Sequence, residues 1–595
     1  VVPLRRELPS PLAPKSDEEN GDDGEGEGDD TGKDEDDTEK GDDDDEKPPQ
    51  PVAVDLDGFE QRAVLLPVER GGFALVGVND QGHLLYLRGP RPGSDDGPSV
   101  RILDLSRDTK PGPGDDGEAG NGNAGGEGPR RGPVEKTVLG DVDGFALTAD
   151  GRKLLAWKDE RMAVVEARPD QKMNEPVPTD GMEVPVEPRA EWRQIFTEVW
   201  RLQRDFFYDP GMHGVDWPAV RRQYEAMLSD CASREDLSYV VSEMISELNV
   251  GHAYYFGGDV ETGPSVSVGM LGCDFELDEG AYRIARVVEG APWDADARGP
   301  LSQPGVDVKV GDYLLAVNGV PVDPARDPWV AFQGLAGKVV TLTVSASPRR
   351  GDDAREVVVE LLADERDLRY WAWVEANRRR VEQLGSGRVG YVYVPNTGIE
   401  GQNHLVRQLY GQIGREALIV DERWNGGGQI PTRFVELLNR PVANYWALRN
   451  GHDWTWPPDA HHGPKCMLVN GLAGSGGDYF PFYFRAAGVG KLVGTRTWGG
   501  LVGIQGGPPL LDGARTSVPA FAFYETDGTW GIEGHGVDPD IEVVDDPALM
   551  VGGRDPQLEA AVEHLLGELE RNPHRPPARP AYPDRSGMGI RPEDR

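Results

Sequence analysis

The run CMLVNGLAGSGGDYFPFYFR, residues 466–485, passes from a solid apolar stretch through small residues around Ser475 into an aromatic segment. An apolar run of this kind, bounded by turn residues, reads as a strand buried on both faces, and the aromatic segment beyond the turn reads as a helix. A serine at a strand-to-helix elbow exposes its hydroxyl and shares its space with backbone N–H groups, so Ser475 is the candidate nucleophile. The strict G-x-S-x-G signature is absent, because Leu472-Ala473-Gly474-Ser475-Gly476-Gly477 displaces a glycine by one position.

Upstream, RVGYVYVPN from Arg388 and EALIVDERWNGGGQI from Glu416 repeat the alternation of buried strand and helical stretch, which indicates an α/β layer over residues 366–570. The second strand ends in Asn425 and three glycines. Glycines there let the main chain approach a substrate, and a free N–H can meet a developing oxyanion. The expected donors are Gly476, after the serine, and Gly427 or its neighbour Gly426. A phosphate loop is the weaker reading, since no Lys-Ser/Thr pair follows.

The remaining chain divides by composition and period. Residues 1–51 hold an acidic run, Ser16–Lys47, without apolar side chains, and are expected to be a disordered segment. Residues 52–168 contain a Gly-Phe-Ala-Leu repeat, at Phe73 and Phe145, separated by a Gly-rich insertion. Without the insertion the spacing is about one propeller blade of roughly 40–45 residues, so this region reads as the end of a β-propeller, with a β-sandwich as the alternative. A Pro-rich linker covers 169–189. Residues 190–262 form a helical region with two apolar stripes, one through Trp192, Ile195, Phe196 and Val199, the other through Leu237, Val240, Val241 and Met244. Ser233 with Asp236 suits the N-cap of the second helix. His252, in VGHAYYFGGD, lies just beyond it. Residues 263–365 resemble a PDZ domain, with Gly269, Met270, Leu271 and Gly272 in the place of the loop that holds a peptide's terminal carboxylate; peptide capture and a packing role both remain open. Residues 571–595 are a Pro-rich tail expected to be disordered.

With 62 basic and 103 acidic residues the net charge is −41, which argues against nucleic acid or an anionic membrane as partner. Cys231, Cys273 and Cys466 are widely spaced, without metal-ligand or disulfide pattern, and read as reduced core residues suited to a cytoplasm. No apolar stretch reaches membrane-span length. The start lacks an initiator Met and a signal-peptide core, so the chain is expected to be a fragment.

The order of strand with Gly loop, strand with Ser elbow, GTRTWGG and GVDPDIEV resembles the carboxyl-terminal-processing proteases, whose base is a lysine downstream of the serine. Here Thr497-Trp498-Gly499-Gly500 lacks it, and Lys491 is off the motif. Propeller remnant, ELNVGHAYY, PDZ domain and NGLAGSGGDYF together closely resemble the tricorn protease family. The resemblance implies a multidomain chain with an α/β catalytic domain of ClpP/crotonase type, and a serine peptidase with His252 as base for Ser475. It carries Glu533 as the carboxylate of a Ser-His-Ser-Glu relay, the alternative being a loop carboxylate without a role; His535 is a less suited substitute base. It further implies short oligopeptide substrates, a homo-hexamer, a cytoplasmic location, and neither metal nor cofactor. The relay serine is replaced by Gly251, and restoring it with Gly251→Ser is expected to raise activity or leave it unchanged. A non-catalytic propeller/PDZ scaffold and a Ser-Lys protease are the rival readings.

Overall fold

The computed structural model describes residues 1–8, 52–68, 71–90, 97–105, 134–179, 181–291, 297–572, 576–583, 586 and 590–594; the acidic run and the Gly-rich insertion lie outside them. The chain divides into two compact units, Val1–Val184 and Pro185–Arg595.

In the first unit, β1 (Phe73–Val78), β2 (Leu84–Arg88), β3 (Ser99–Asp104) and β4 (Val134–Gly140) form an antiparallel sheet in sequence order. A three-stranded antiparallel sheet follows, made of β5 (Gly144–Leu147), β6 (Lys153–Lys158) and β7 (Arg161–Glu166). Leu85, Val100, Ile102, Phe145 and Leu154 share one buried cluster that joins the two sheets. Each copy of the Phe-Ala-Leu repeat lies in a strand, yet Phe145 is buried while Phe73, on the edge strand β1, is exposed. Residues 1–8, assigned from sequence to a disordered segment, are bonded: the Val1 amino group donates to the Val64 carbonyl, and Arg6 donates to the Asp55 carboxylate and the Asp57 carbonyl.

The second unit opens with α1 (Pro188–Phe206), α2 (Trp217–Met227) and α3 (Arg234–Ser246), whose stripes bury Ile195, Phe196, Val199, Leu237, Val241 and Met244 in one core. At the start of α3 the Ser233 hydroxyl accepts from the Asp236 N–H, and the Asp236 carboxylate accepts from the Ser233 N–H, a reciprocal capping box. After α3 comes the short β8 (Tyr255–Phe256), and then the PDZ-like sheet: β9 (Cys273–Asp278), β10 (Ala281–Val287), β11 (Tyr313–Val317), β12 (Val320–Pro321), β13 (Val339–Ser345) and β14 (Arg355–Glu360). Its order is β14-β13-β11-β10-β9, with β12 paired to β11 and β9 at the edge.

Helix α4 (Arg366–Leu384) leads into the α/β layer: β15 (Val389–Tyr393), α5 (Ile399–Tyr410), β16 (Ala417–Asp421), α6 (Pro431–Leu438), a hairpin of β17 (Asn444–Trp446) and β18 (Trp454–Trp456), β19 (Lys465–Val469), α7 (Gly476–Ala486) and β20 (Gly490–Gly494). Next are β21 (Gly503–Gly506), β22 (Arg515–Phe521), β23 (Ile541–Glu542), α8 (Pro547–Val551) and α9 (Pro556–Arg571). Strands β15, β16, β19, β20 and β23 are parallel and adjacent in that order. Cys466 and Leu468 of β19 face α4 and α9, whereas Met467 and Val469 face α5, α6 and α7. Cover on both faces is why this strand is continuously apolar in sequence. All three cysteines are free and buried. The three-stranded sheet β21-β22-β8 joins the helical region to the segment that follows β20.

The described part of the Pro-rich tail is not free. Arg579 pairs with Asp453 and donates to the Leu448 carbonyl and to the Tyr582 hydroxyl. No helix among the described residues is long and apolar enough to cross a membrane.

Candidate active site

Parallel β19 carries the chain to Ser475, which forms the N-cap of α7 with φ 60° and ψ −121°. A non-glycine residue with positive φ persists only where its surroundings hold it. Here the Ser475 N–H donates to the Gly500 carbonyl at 3.0 Å and to Asp478 Oδ2 at 2.9 Å. Buried Asp478 also accepts from the Thr497 hydroxyl (2.5 Å) and from the N–H groups of Gly499 (2.8 Å) and Gly500 (3.1 Å). Burial raises its pKa, against the pull of these four donors. Asp478 ties the elbow to the 497–500 segment, a role the sequence signalled only as a carboxylate three residues after an N-cap serine.

Small residues make the elbow possible. A Cβ on Gly427 would lie 2.6 Å from the Ser475 Cβ, and one on Gly476 would lie 2.1 Å from Thr397 Oγ1 and 2.7 Å from the Gly428 nitrogen. The Gly-rich loop after β16 is thus seated against the nucleophile. Its N–H groups are not equivalent, however. Gly426 donates to the Pro395 carbonyl at 3.0 Å and Gly427 to Asn425 Oδ1 at 2.8 Å, so the two glycines expected to complete an oxyanion hole are both engaged. Gly428 and Gly476 make no N–H hydrogen bond to any described residue, and the Gly428 backbone lies against the Gly476 Cα.

His252 sits in the turn between α3 and β8 with φ 64°. Its ring lies edge-on between Trp498 (centroids 5.5 Å apart) and Tyr254 (5.9 Å). Trp498 in turn covers Gly474 and Gly500, where any Cβ would strike the indole, so one aromatic ring adjoins both histidine and nucleophile elbow. Burial lowers the His252 pKa; the charges of Glu533 and Asp478 oppose that shift without reversing it. Its Nδ1 is buried without a partner among the described residues. No hydrogen bond joins its ring to Ser475, a geometry that apo active sites often leave open.

Glu533 accepts from the Gly251 N–H at 2.7 Å through Oε1, and from Leu501 (2.5 Å) and Val502 (2.9 Å) through Oε2. Where the resemblance implied a serine hydroxyl between carboxylate and base, the carboxylate holds the backbone of Gly251 itself. A Cβ on Gly251 would lie 3.1 Å from Glu533 Oε1 and only 2.7 Å from the Gly500 Cα.

Three family models match in chain order: the tricorn protease C1 domain over residues 188–246, the tricorn protease PDZ domain over 269–364, and peptidase family S41 over 388–543. Tricorn protease homolog 1 of Streptomyces coelicolor is 37% identical over 536 residues, which is 88% of this chain and 48% of that protein. The tricorn protease of Thermoplasma acidophilum is 31% identical over 444 residues, covering 75% of this chain and 41% of the relative. The crystal structure of the tricorn protease superposes with a TM-score of 0.74 at 27% identity, over 88% of this chain and 49% of that one. The chain belongs to the tricorn protease family. It spans about half the length of these relatives, and it contains the family's PDZ domain and its serine-peptidase domain.

The other candidate bases sit in different surroundings. Lys491 pairs with Cys466 at the start of β19, at the opposite end of the sheet from Ser475, and its charge bears on His564 of α9. His535 Nε2 is bonded to Asp538 at 2.7 Å.

The PDZ loop bonds largely within this chain. Gly269 and Met270 donate to the Phe332 and Leu362 carbonyls, and Gly272 donates to Glu365 Oε1 at 2.6 Å. Arg369 holds the same carboxylate at 2.7 Å and reaches the Cys273 carbonyl and Asp274. A carboxylate of this chain thus meets the Gly272 end of the loop, where the first turn of α4 packs through Leu368. Fluorescence anisotropy is expected to show no preference for peptides with a free carboxyl terminus over their amides, and Glu365→Ala to create a preference of about tenfold or more, the value of one charge-assisted hydrogen bond.

Proposed function

We propose that the chain is a serine peptidase in which Ser475 Oγ attacks a peptide carbonyl while His252 accepts its proton. His252 then returns the proton to the leaving amine, and water resolves the acyl-enzyme by the same steps in reverse. The N–H groups of Gly476 and Gly428 hold the oxyanion; both are unengaged, adjacent, and beside the nucleophile, and this observation carries the reading. Glu533 acts as a clamp on the Gly251 and 501–502 backbones, not as a link in a side-chain relay. Its charge near the ring also stabilises the imidazolium that forms during reaction.

The finer features are part of the same proposal and rest on the family: short oligopeptide substrates, a propeller to which the two N-terminal sheets belong and which restricts access, a homo-oligomeric ring, and a cytoplasmic site. The four-stranded antiparallel sheet of β1–β4 supports the propeller, since it has the strand content and order of a single blade.

A fluorophosphonate probe tests the proposal on the intact chain. Mass spectrometry is expected to find the adduct on Ser475 and none after Ser475→Ala. An unlabelled, folded wild type would favour the non-catalytic scaffold instead.

A further inference from the structure

We infer that Ser517 is a positioning residue for His252, holding the base through its main chain where the ring itself lacks an orienting partner. The inference rests on the peptidase reading above and assigns a function to a residue outside every motif considered so far.

Ser517 lies on β22 and is 5% exposed. Its hydroxyl donates to the His252 carbonyl at 2.6 Å and accepts from the Tyr254 N–H at 2.9 Å, so a single group spans both sides of Ala253. The Ser517 N–H donates to the Tyr254 carbonyl at 3.0 Å, an acceptor shared with the Thr516 hydroxyl. Gln203 of α1, fully buried, donates to the Ser517 carbonyl at 2.9 Å and fixes this part of β22 from behind.

These contacts matter because His252 adopts φ 64°, a conformation that a side-chain-bearing residue keeps only under constraint. On its N-terminal side the constraint is Glu533, through the Gly251 N–H; on its C-terminal side it is Ser517. In a histidine base the nitrogen away from the nucleophile normally meets an acceptor that sets the ring's orientation. The buried His252 Nδ1 meets none among the described residues, so the ring direction follows from the backbone and from packing between Trp498 and Tyr254. Ser517 fixes the backbone and, through the Tyr254 N–H, one of the two flanking rings. It touches no reacting atom.

The experiment uses the full chain and a fluorogenic peptide, beside fluorophosphonate titration of active sites. Ser517→Ala is expected to lower kcat about tenfold with KM unchanged. It should also move the acidic limb of the kcat profile up toward an ordinary histidine, because a loosened ring is better hydrated while Glu533 and Asp478, the charges facing it, stay in place. Ser517→Thr keeps the hydroxyl and is expected to restore most of the rate. A Ser517→Ala enzyme with wild-type kcat and limb overturns the inference. So does a loss, in Ala and Thr variants alike, that matches the fraction unfolded in a parallel thermal melt. An unlabelled wild type would instead bring down the peptidase reading, turnover indifferent to His252→Ala would bring down the histidine as its base, and this inference falls with either.

Discussion

His252→Ala is expected to lower kcat by about three to four orders of magnitude while KM changes little, since a serine attacking without its base loses the proton transfer that both halves of the reaction need. Lys491→Ala is expected to leave turnover unchanged, because that side chain lies at the far end of the sheet from Ser475. Stopped-assay rates normalised to titrated active sites check both; a Lys491-dependent rate would reinstate the Ser-Lys mechanism. The wild-type pH profile carries a further mark of the histidine. Only the neutral ring accepts a proton, and burial lowers its pKa below the ordinary 6.5, so the neutral form persists into more acidic solution. Activity should fall as pH drops through this lowered value, placing the acidic limb below that of an ordinary histidine.

Gly251→Ser is expected to reduce kcat/KM by about ten- to a hundredfold. This reverses the outcome anticipated from sequence, where supplying the family's hydroxyl should have helped. The direction of the new side chain is suitable, since its Cβ points toward Glu533 Oε1, but that Cβ also falls 2.7 Å from the Gly500 Cα. The obstacle is main chain, which cannot swing aside as a side chain would. Gly500 accepts the Ser475 N–H and donates to Asp478, so displacement there moves the nucleophile. Kinetics with a thermal melt of the same sample measure the effect. Activity equal to or above wild type would show that the 499–501 segment yields without disturbing Ser475.

How much of this was legible beforehand depended on whether a feature was local. The apolar run before Ser475 and the Ser233–Asp236 cap are written within a few residues of where they act, and sequence reading reached them. Ser475 and His252, far apart in the chain, were brought together only by family resemblance. The choice among Gly426, Gly427 and Gly428 was out of reach, because it turns on whether Asn425 folds back on Gly427 and whether Pro395 meets Gly426. Glu365 gave no sign that its carboxylate would occupy the PDZ loop, since the docking of α4 on Gly272 has no sequence signature. Ser517 is one serine in an ordinary strand. Its contact with His252, across 265 positions of chain, follows from the pairing of β22 with β8 beside it.

That pairing bears on the chain's synthesis. The His252 main chain is held by Ser517 from 265 residues downstream, and the Gly251 N–H before it by Glu533 from 282, so no ribosome-bound intermediate ending before those positions can make these contacts. The nucleophile elbow, with its strand and helix, is synthesised before both of them. On the proposed mechanism, competence to cut peptides is therefore deferred until the chain as far as Glu533 has left the exit tunnel.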